Sequence, residues 1–276
     1  MTLVKRLDLF LRVLPLVIAL ALLKAGVHAL GFEFMPLDGL VPSLIGGSIF
    51  LIGFLLVQVL GEYREAERIP AAMRTALEAI HDDVLFFARS QPQVDVPAFR
   101  AALAGIVEAF DDGLGVRSGH KDLGAAIARV DALSPLFIHL QELDVPERFI
   151  VRLKGEQDTL RRNIFRVQHI QRMEFVPSVH VLVQTLVIAS LFVLLFLKTA
   201  GAWESMLILL LVGYMFIYSL MLIGRLDQPF REGEGTVDDV SLFQLREFLA
   251  KIDAERAAPE AATTPLRVSA GSGRRG

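Results

Sequence analysis

The chain has 276 residues, of which 53% are hydrophobic and 21% are charged, and its formal net charge is −3. A soluble domain of this length usually carries more charge and does not gather its apolar residues into long runs. The small net charge gives no electrostatic reason to expect a nucleic-acid partner. The sequence contains no cysteine, which excludes disulfides, thiolate metal sites and cysteine nucleophiles.

The first apolar run, residues 8–31, follows a basic start and is long enough to cross a bilayer as a helix. A secretory signal peptide begins in the same way, and residues 27–29, Val-His-Ala, have the small-residue spacing of a cleavage site. The apolar character continues to Phe34, however, which favours a retained span. Arg12 and Lys24 then lie near the two ends of that span, where long side chains can reach the membrane surface.

Three further apolar runs have membrane length. They are residues 41–60, 178–198 and 204–224. Arg and Lys are concentrated before the first run, after the second, before the third and after the fourth, whereas the short loop after the first run carries only Glu33 and Asp38. The positive-inside bias therefore places both termini in the cytoplasm. The sequence predicts an all-α, multi-pass integral membrane protein of the inner or plasma membrane, with four transmembrane helices.

The region between the second and third spans, residues 62–176, is predicted to be a helical cytoplasmic domain. Its apolar residues recur at the spacing of one helical face, as in Met73, Leu77, Ile80, Val84 and Phe87. The polar run His81-Asp82-Asp83 interrupts that face, and we expect it to be a solvated surface rather than a cation site. None of the six histidines has another three or four residues away, so no helical metal site is predicted. No glycine-rich nucleotide-binding loop is visible and no Ser-His-Asp order can be defended, so we predict that the protein is not an enzyme.

The spans themselves favour passive conduction. The second, third and fourth contain no ionisable residue between their ends, which argues against a pump or a proton-coupled transporter. A passive pore needs none, because it can select by dimension and gate by dewetting at a hydrophobic constriction. Four helices are too few to enclose a wide pore in one subunit, so we expect the path on the symmetry axis of a homo-oligomer.

The second span is the candidate pore helix. Small, aromatic and polar residues recur on one narrow stripe of that helix, namely Ser43, Gly47, Phe50, Phe54 and Gln58. Repeated around an axis, Phe50 and Phe54 would form stacked aromatic rings. The alternative is that Gly46, Gly47 and Gly53 only allow neighbouring helices to approach closely. The sequence leaves both interpretations open.

The fourth span ends in a distinctive segment, Arg225-Leu-Asp-Gln-Pro-Phe230. Arg225 is favourable at a helix C-terminus and can reach lipid phosphates. Asp227 follows it, and Pro229 disfavours a helical conformation of the residue before it, so the span should stop there. We expect residues 225–256 to form a turn and an amphipathic helix that folds back onto the cytoplasmic domain of the same or of a neighbouring subunit. Residues 257–276 have the composition of a disordered tail.

This layout and the Pro-Phe segment resemble the bestrophin-like membrane proteins. The second-span region, which runs from apolar sequence into a charged helix with spaced Tyr, Arg, Glu and Ala, is also similar to their pattern. The resemblance covers most of the chain in layout and these two regions in residues. It implies a pentamer in the lipid bilayer that conducts inorganic anions such as chloride, with Phe50 and Phe54 in a hydrophobic neck.

In calcium-gated bestrophins, a carboxylate cluster after Pro-Phe helps to hold the ion. The matching carboxylates here are Glu232, Glu234, Asp238 and Asp239, and glycine and valine separate them. That departure argues against calcium gating, so we expect no cofactor. The alternative function is a non-conducting membrane scaffold or signalling protein whose cytoplasmic helices bind a partner.

Overall fold

The computed structural model describes residues 7–114, 122–172, 177–199, 201–227, 229–230 and 239–257. These residues form nine helices and one pair of two-residue strands. The helices are α1 (Asp8–Ala29), α2 (Leu40–Ser90), α3 (Val96–Gly113), α4 (Gly124–Asp131), α5 (Leu133–Glu142), α6 (Glu147–Arg172), α7 (Pro177–Leu195), α8 (Ala202–Leu226) and α9 (Phe243–Ala257). The strands β1 (Met35–Pro36) and β2 (Leu197–Lys198) pair in parallel.

Four of these helices, α1, α2, α7 and α8, are long and apolar enough to cross a membrane. The apolar half of α2 buries Ile52, Leu55 and Val59 against α7 and α8. Ser48 and Ser190 share a hydrogen bond of 2.9 Å between their hydroxyls inside this contact. Because a buried hydroxyl pair has no solvent to compete for it, the bond fixes the register of α2 on α7.

The longest helix, α2, joins the membrane bundle to the helical domain without a break. Its 51 residues extend over about 76 Å at 1.5 Å per residue. The expected boundary near residue 61 therefore lies inside one continuous helix. We name the end of the bundle next to the domain the domain end, and the opposite end, near β1 and β2, the distal end.

The second half of α2 forms the centre of the helical domain. Met73, Leu77 and Ile80 are fully buried, and α3 to α6 contribute most of the remaining core, which α9 completes. Phe99 of α3 stacks on Phe137 of α5 with ring centroids 6.2 Å apart. The predicted fold class, four apolar helices with a helical insertion between the second and third, is confirmed.

The expectation for His81 is wrong, because its side chain is only 1% exposed instead of solvated. Its Nε2 lies 3.0 Å from a carboxylate oxygen of Glu255 in α9, and the ring of Phe248 packs edge-on against it. The helix that covers His81 lies more than 160 positions later in the sequence. Local periodicity therefore gave no sign of this contact.

The C-terminal helix α9 packs on the helical domain of its own chain. It buries Leu245, Phe248 and Ile252 in the domain core, and Phe230 joins them from the turn after α8. Arg100 of α3 donates a 2.8 Å hydrogen bond to Glu255 at the edge of this contact. Apolar burial thus attaches α9, while ion pairs at its margin orient it.

We expect Phe248→Leu to weaken the attachment of α9 by about 1 to 2 kcal/mol, since the ring is fully buried and leucine leaves part of its volume empty. Amide hydrogen exchange in α9 should then accelerate by about fivefold to thirtyfold. Phe243→Leu is the matched control, because Phe243 is on the same helix and 52% exposed. Equal exchange rates in the two variants would contradict the packing described here.

Candidate functional site

The candidate pore stripe lies on the open side of α2. Ser43, Gly47 and Gln58 are exposed, and Phe50 and Phe54 are 72% and 60% exposed, while the opposite face of the helix is buried in the bundle. Because α2 is a continuous helix here, the stripe extends over about 22 Å from Ser43 to Gln58. One chain therefore presents a face that spans most of the roughly 30 Å hydrocarbon thickness and that it does not cover itself.

The polar side chains of this stripe distinguish it from a lipid-facing surface. The amide of Gln58 has no hydrogen-bond partner among the described residues, whereas the exposed amide of Gln184 in α7 lies 2.8 Å from His180. An amide without a partner is costly in hydrocarbon. Exposure of Gln58 on α2 is therefore better explained by water, or by another copy of the chain, than by lipid.

The glycines of α2 do not serve helix packing within one chain. A Cβ placed on Gly46, Gly47, Gly53 or Gly61 would have no neighbouring atom within 4 Å. By contrast, a Cβ on Gly213 of α8 would lie 2.7 Å from Leu20 of α1, which is a true close approach. These four glycines thus leave open space, and only a contact with another copy of the chain could still use them for packing.

The exposed side of α1, which has the composition expected of a lipid-facing surface, provides a comparison. Every exposed residue of α1 from Leu14 to Leu23 is apolar, and none has a polar side chain. The stripe on α2 combines a hydroxyl, an amide, open glycines and two large rings over a similar length. The two faces are therefore built for different surroundings.

Towards the domain end, the exposed side of α2 becomes charged. Glu62, Arg64, Glu65 and Arg68 are all exposed, and Glu65 pairs with Arg166 of α6. Both signs of charge are represented within two turns. Repeated around an axis, each of these residues forms a ring of one sign, and acidic and basic rings alternate along the helix, so together they set no strong preference between anions and cations.

The segment that ends the fourth span is buried instead of reaching lipid phosphates. Arg225 is 7% exposed and forms an ion pair with Asp8 at the start of α1. Asp227 donates its backbone N–H to Ile223 O at 2.9 Å and thereby caps α8. Pro229 and Phe230 are both buried, and Pro229 O accepts a 2.9 Å hydrogen bond from the backbone N–H of Val240. The motif therefore joins α8 to α1 and to the domain.

Lys24 also differs from expectation, because it is 1% exposed and does not extend to the membrane surface. Its Nζ donates to the carbonyl oxygens of Leu195 at 3.1 Å and Leu197 at 2.7 Å, and it lies 2.8 Å from Glu33 Oε1. The nearby Lys24 ammonium holds the pKa of Glu33 below the ordinary carboxyl value of 4.5, although burial opposes the shift. This buried pair ties α1 to the turn after α7 at the distal end.

The carboxylates considered for calcium fall mainly outside the described residues. This applies to Glu232, Glu234 and Asp238, while Asp239 is described and partly buried. Among the residues that the structure describes, no group of three or more His, Cys, Asp or Glu side chains could hold a metal ion. The expectation that the protein has no calcium-gating site stays a prediction.

Comparisons with known proteins identify the fold. No protein-family model and no curated protein sequence matches the chain. The structure is similar to a bacterial bestrophin homologue from Klebsiella pneumoniae, with a TM-score of 0.67 and 14% identity over 91% of this chain and 98% of that one. A variant of that homologue gives a TM-score of 0.70 at 12% identity, covering 88% and 98% of the two chains. A membrane protein variant gives 0.70 at 13% identity, covering 91% and 100%. The chain therefore has the fold of the bacterial bestrophin homologues.

Proposed function

We propose that this membrane protein, which has the bestrophin fold, is a homo-oligomeric ion channel whose α2 helices line a passive path on the symmetry axis. The bestrophin resemblance supports an anion such as chloride as the permeant ion and five as the copy number. It also supports an inner- or plasma-membrane location with both termini and the helical domain in the cytoplasm.

A single observation carries the proposal: the open face of α2 combines two exposed polar side chains, open glycines and two exposed rings along one stripe. Water can satisfy the Gln58 amide and the free lone pair of Ser43, whose hydroxyl already donates to Gly39 O at 2.6 Å. Phe50 and Phe54 lie between these polar positions. In a ring of copies they form the apolar constriction that a dewetting gate requires.

The arrangement also favours passive movement over coupled transport. The buried charges in or beside the spans, Lys24 and Arg225, are both paired within the chain and lie at opposite ends of the bundle. Neither lies on the stripe of α2. An ion that passes along this stripe meets no ionisable side chain until it reaches Glu62 and the charged residues beyond it.

The test uses full-length protein in mild detergent and then in liposomes. The mass of the purified protein should be a whole-number multiple of the chain mass, as expected for a closed ring of identical copies. Liposomes that contain the protein and are loaded with chloride should release the chloride when an ionophore balances the charge. A second set of liposomes, made from the same protein preparation, contains sodium as the only permeable ion and measures cation flux.

A monodisperse monomer would remove the axial path. A folded ring that releases neither ion would support the scaffold function instead. A ring that passes sodium but not chloride would retain the channel and overturn the choice of ion.

A further inference from the structure

A groove at the distal end of the bundle has the features of a small-ligand site. It lies between the β1–β2 pair and the beginning of α8, and its volume is about 660 Å³. Typical small-molecule sites have volumes of roughly 300 to 1,000 Å³. Its walls are mainly apolar, with Leu37, Leu207 and Leu211 among the lining residues. We name it the distal groove.

Two opposite charges line the distal groove, from Lys198 in β2 and Glu204 in the first turn of α8. Both side chains are exposed, and neither has an ion-pair or hydrogen-bond partner among the described residues. A purely anionic ligand would be attracted by Lys198 and repelled by Glu204. A ligand with both a negative and a positive group satisfies the two charges together.

Trp203 places the groove at the level of lipid headgroups. It is the only tryptophan in the sequence, lines the groove and is 73% exposed. Tryptophan is enriched at the membrane–water interface because its ring is apolar while its N–H can remain hydrated. Leu207 and Leu211 follow it at intervals of four residues, so an apolar track continues for about 12 Å along α8 into the bilayer.

We propose that the distal groove binds a zwitterionic phospholipid whose headgroup carries a phosphate and a primary ammonium. Lys198 pairs with the phosphate, Glu204 accepts hydrogen bonds from the ammonium, and an acyl chain lies along Leu207 and Leu211. A primary ammonium donates hydrogen bonds to a carboxylate, whereas a quaternary ammonium has no N–H to donate. Phosphatidylethanolamine therefore fits the charge pair better than phosphatidylcholine or phosphatidylglycerol.

The single tryptophan gives a direct readout, since bromine atoms on a lipid acyl chain quench a ring that they contact. The full chain is reconstituted in phosphatidylcholine vesicles with a minor fraction of brominated phosphatidylethanolamine, phosphatidylglycerol or phosphatidylcholine. At equal mole fraction we expect quenching of Trp203 to be strongest with phosphatidylethanolamine. Lys198→Gln and Glu204→Gln should each reduce this preference by about threefold, the effect of one partly exposed ion pair.

The matched controls are Lys251→Gln and Glu67→Gln, which remove one charge of each sign from the helical domain and should leave the preference unchanged. Equal quenching by the three lipids in the wild type would overturn the proposal. So would a preference that persists in both groove variants. Quenching by none of them would show that a second copy of the chain covers the groove, which also contradicts lipid binding. None of these outcomes depends on ion conduction.

Discussion

Phe50→Ala/Phe54→Ala should raise ion flux from liposomes by about tenfold, the largest effect that we expect on activity. Both rings project from the open face of α2, so their removal widens the constriction and allows it to hydrate. A barrier lowered by about 1.4 kcal/mol increases the rate of passage tenfold. Both positions are exposed in the single chain, and the substitutions therefore leave its internal core intact. The initial rate of chloride release at equal protein content is the measurement.

The matched control for this change is Leu16→Ala/Leu23→Ala on α1. These two side chains are also large, apolar and about half exposed, but they lie on the wholly apolar face that we assign to lipid. The control should release chloride at the wild-type rate. If Phe50→Ala/Phe54→Ala forms an intact oligomer and its chloride flux stays at the wild-type level, that result would contradict a gate at these rings.

Glu33→Gln should destabilise the protein by about 3 kcal/mol, the largest expected effect on stability. The substitution keeps the shape of the side chain and an acceptor oxygen, but it removes the negative charge that neutralises the buried ammonium of Lys24, which also donates to the carbonyl oxygens of Leu195 and Leu197. Loss of one partner from a buried ion pair costs about 3 to 5 kcal/mol, because the other charge remains desolvated. The free energy of unfolding in one fixed detergent measures the change.

A double-mutant cycle separates the pair from its surroundings. Lys24→Met/Glu33→Gln should be more stable than Glu33→Gln alone, since methionine leaves no buried charge. If the changes in unfolding free energy of Lys24→Met and Glu33→Gln simply add up to that of the double variant, the carboxylate and the ammonium do not interact. Glu67→Gln, an exposed carboxylate on α2, is the control and should change stability little.

The ion pair between Lys24 and Glu33 also predicts that the stability of the protein depends on pH. The folded-state pKa of Glu33 is lowered, so its contribution to stability is complete above about pH 4.5 and is lost as the pH falls through the lowered value. The wild type should therefore lose more stability on acidification below pH 4.5 than Glu33→Gln does. An identical loss in both proteins would mean that Glu33 is not responsible.

Much of the architecture could be predicted because local sequence sets it. The apolar runs predict the spans, and the spacing of Met73, Leu77 and Ile80 predicts the buried face of α2. The stripe from Ser43 to Gln58 follows from helical geometry in the same way. The exposure of that stripe in one chain agrees with the prediction, but its lining of a pore stays a prediction.

Long-range partners explain what could not be predicted. Lys24, His81 and Arg225 read locally as charged or polar surface residues, yet each is buried by a partner far away in the chain. Lys24 meets carbonyl oxygens more than 170 positions later, and Arg225 meets Asp8 across 217 positions. Such contacts depend on how the elements pack, and a single sequence contains no periodic signal for them.

The most direct test of the axial path is the accessibility of single cysteines, which the natural absence of cysteine makes simple. Gly47→Cys places a thiol on the stripe, where an added Cβ has open space, and Ile188→Cys places one on the exposed side of α7. Each lies seven residues from the distal end of its helix (47 − 40 and 195 − 188). A charged, membrane-impermeant methanethiosulfonate should modify Gly47→Cys and block ion flux, while Ile188→Cys stays unmodified in lipid. Modification of Ile188→Cys alone, or of neither thiol in a conducting protein, would contradict a water-filled path along α2.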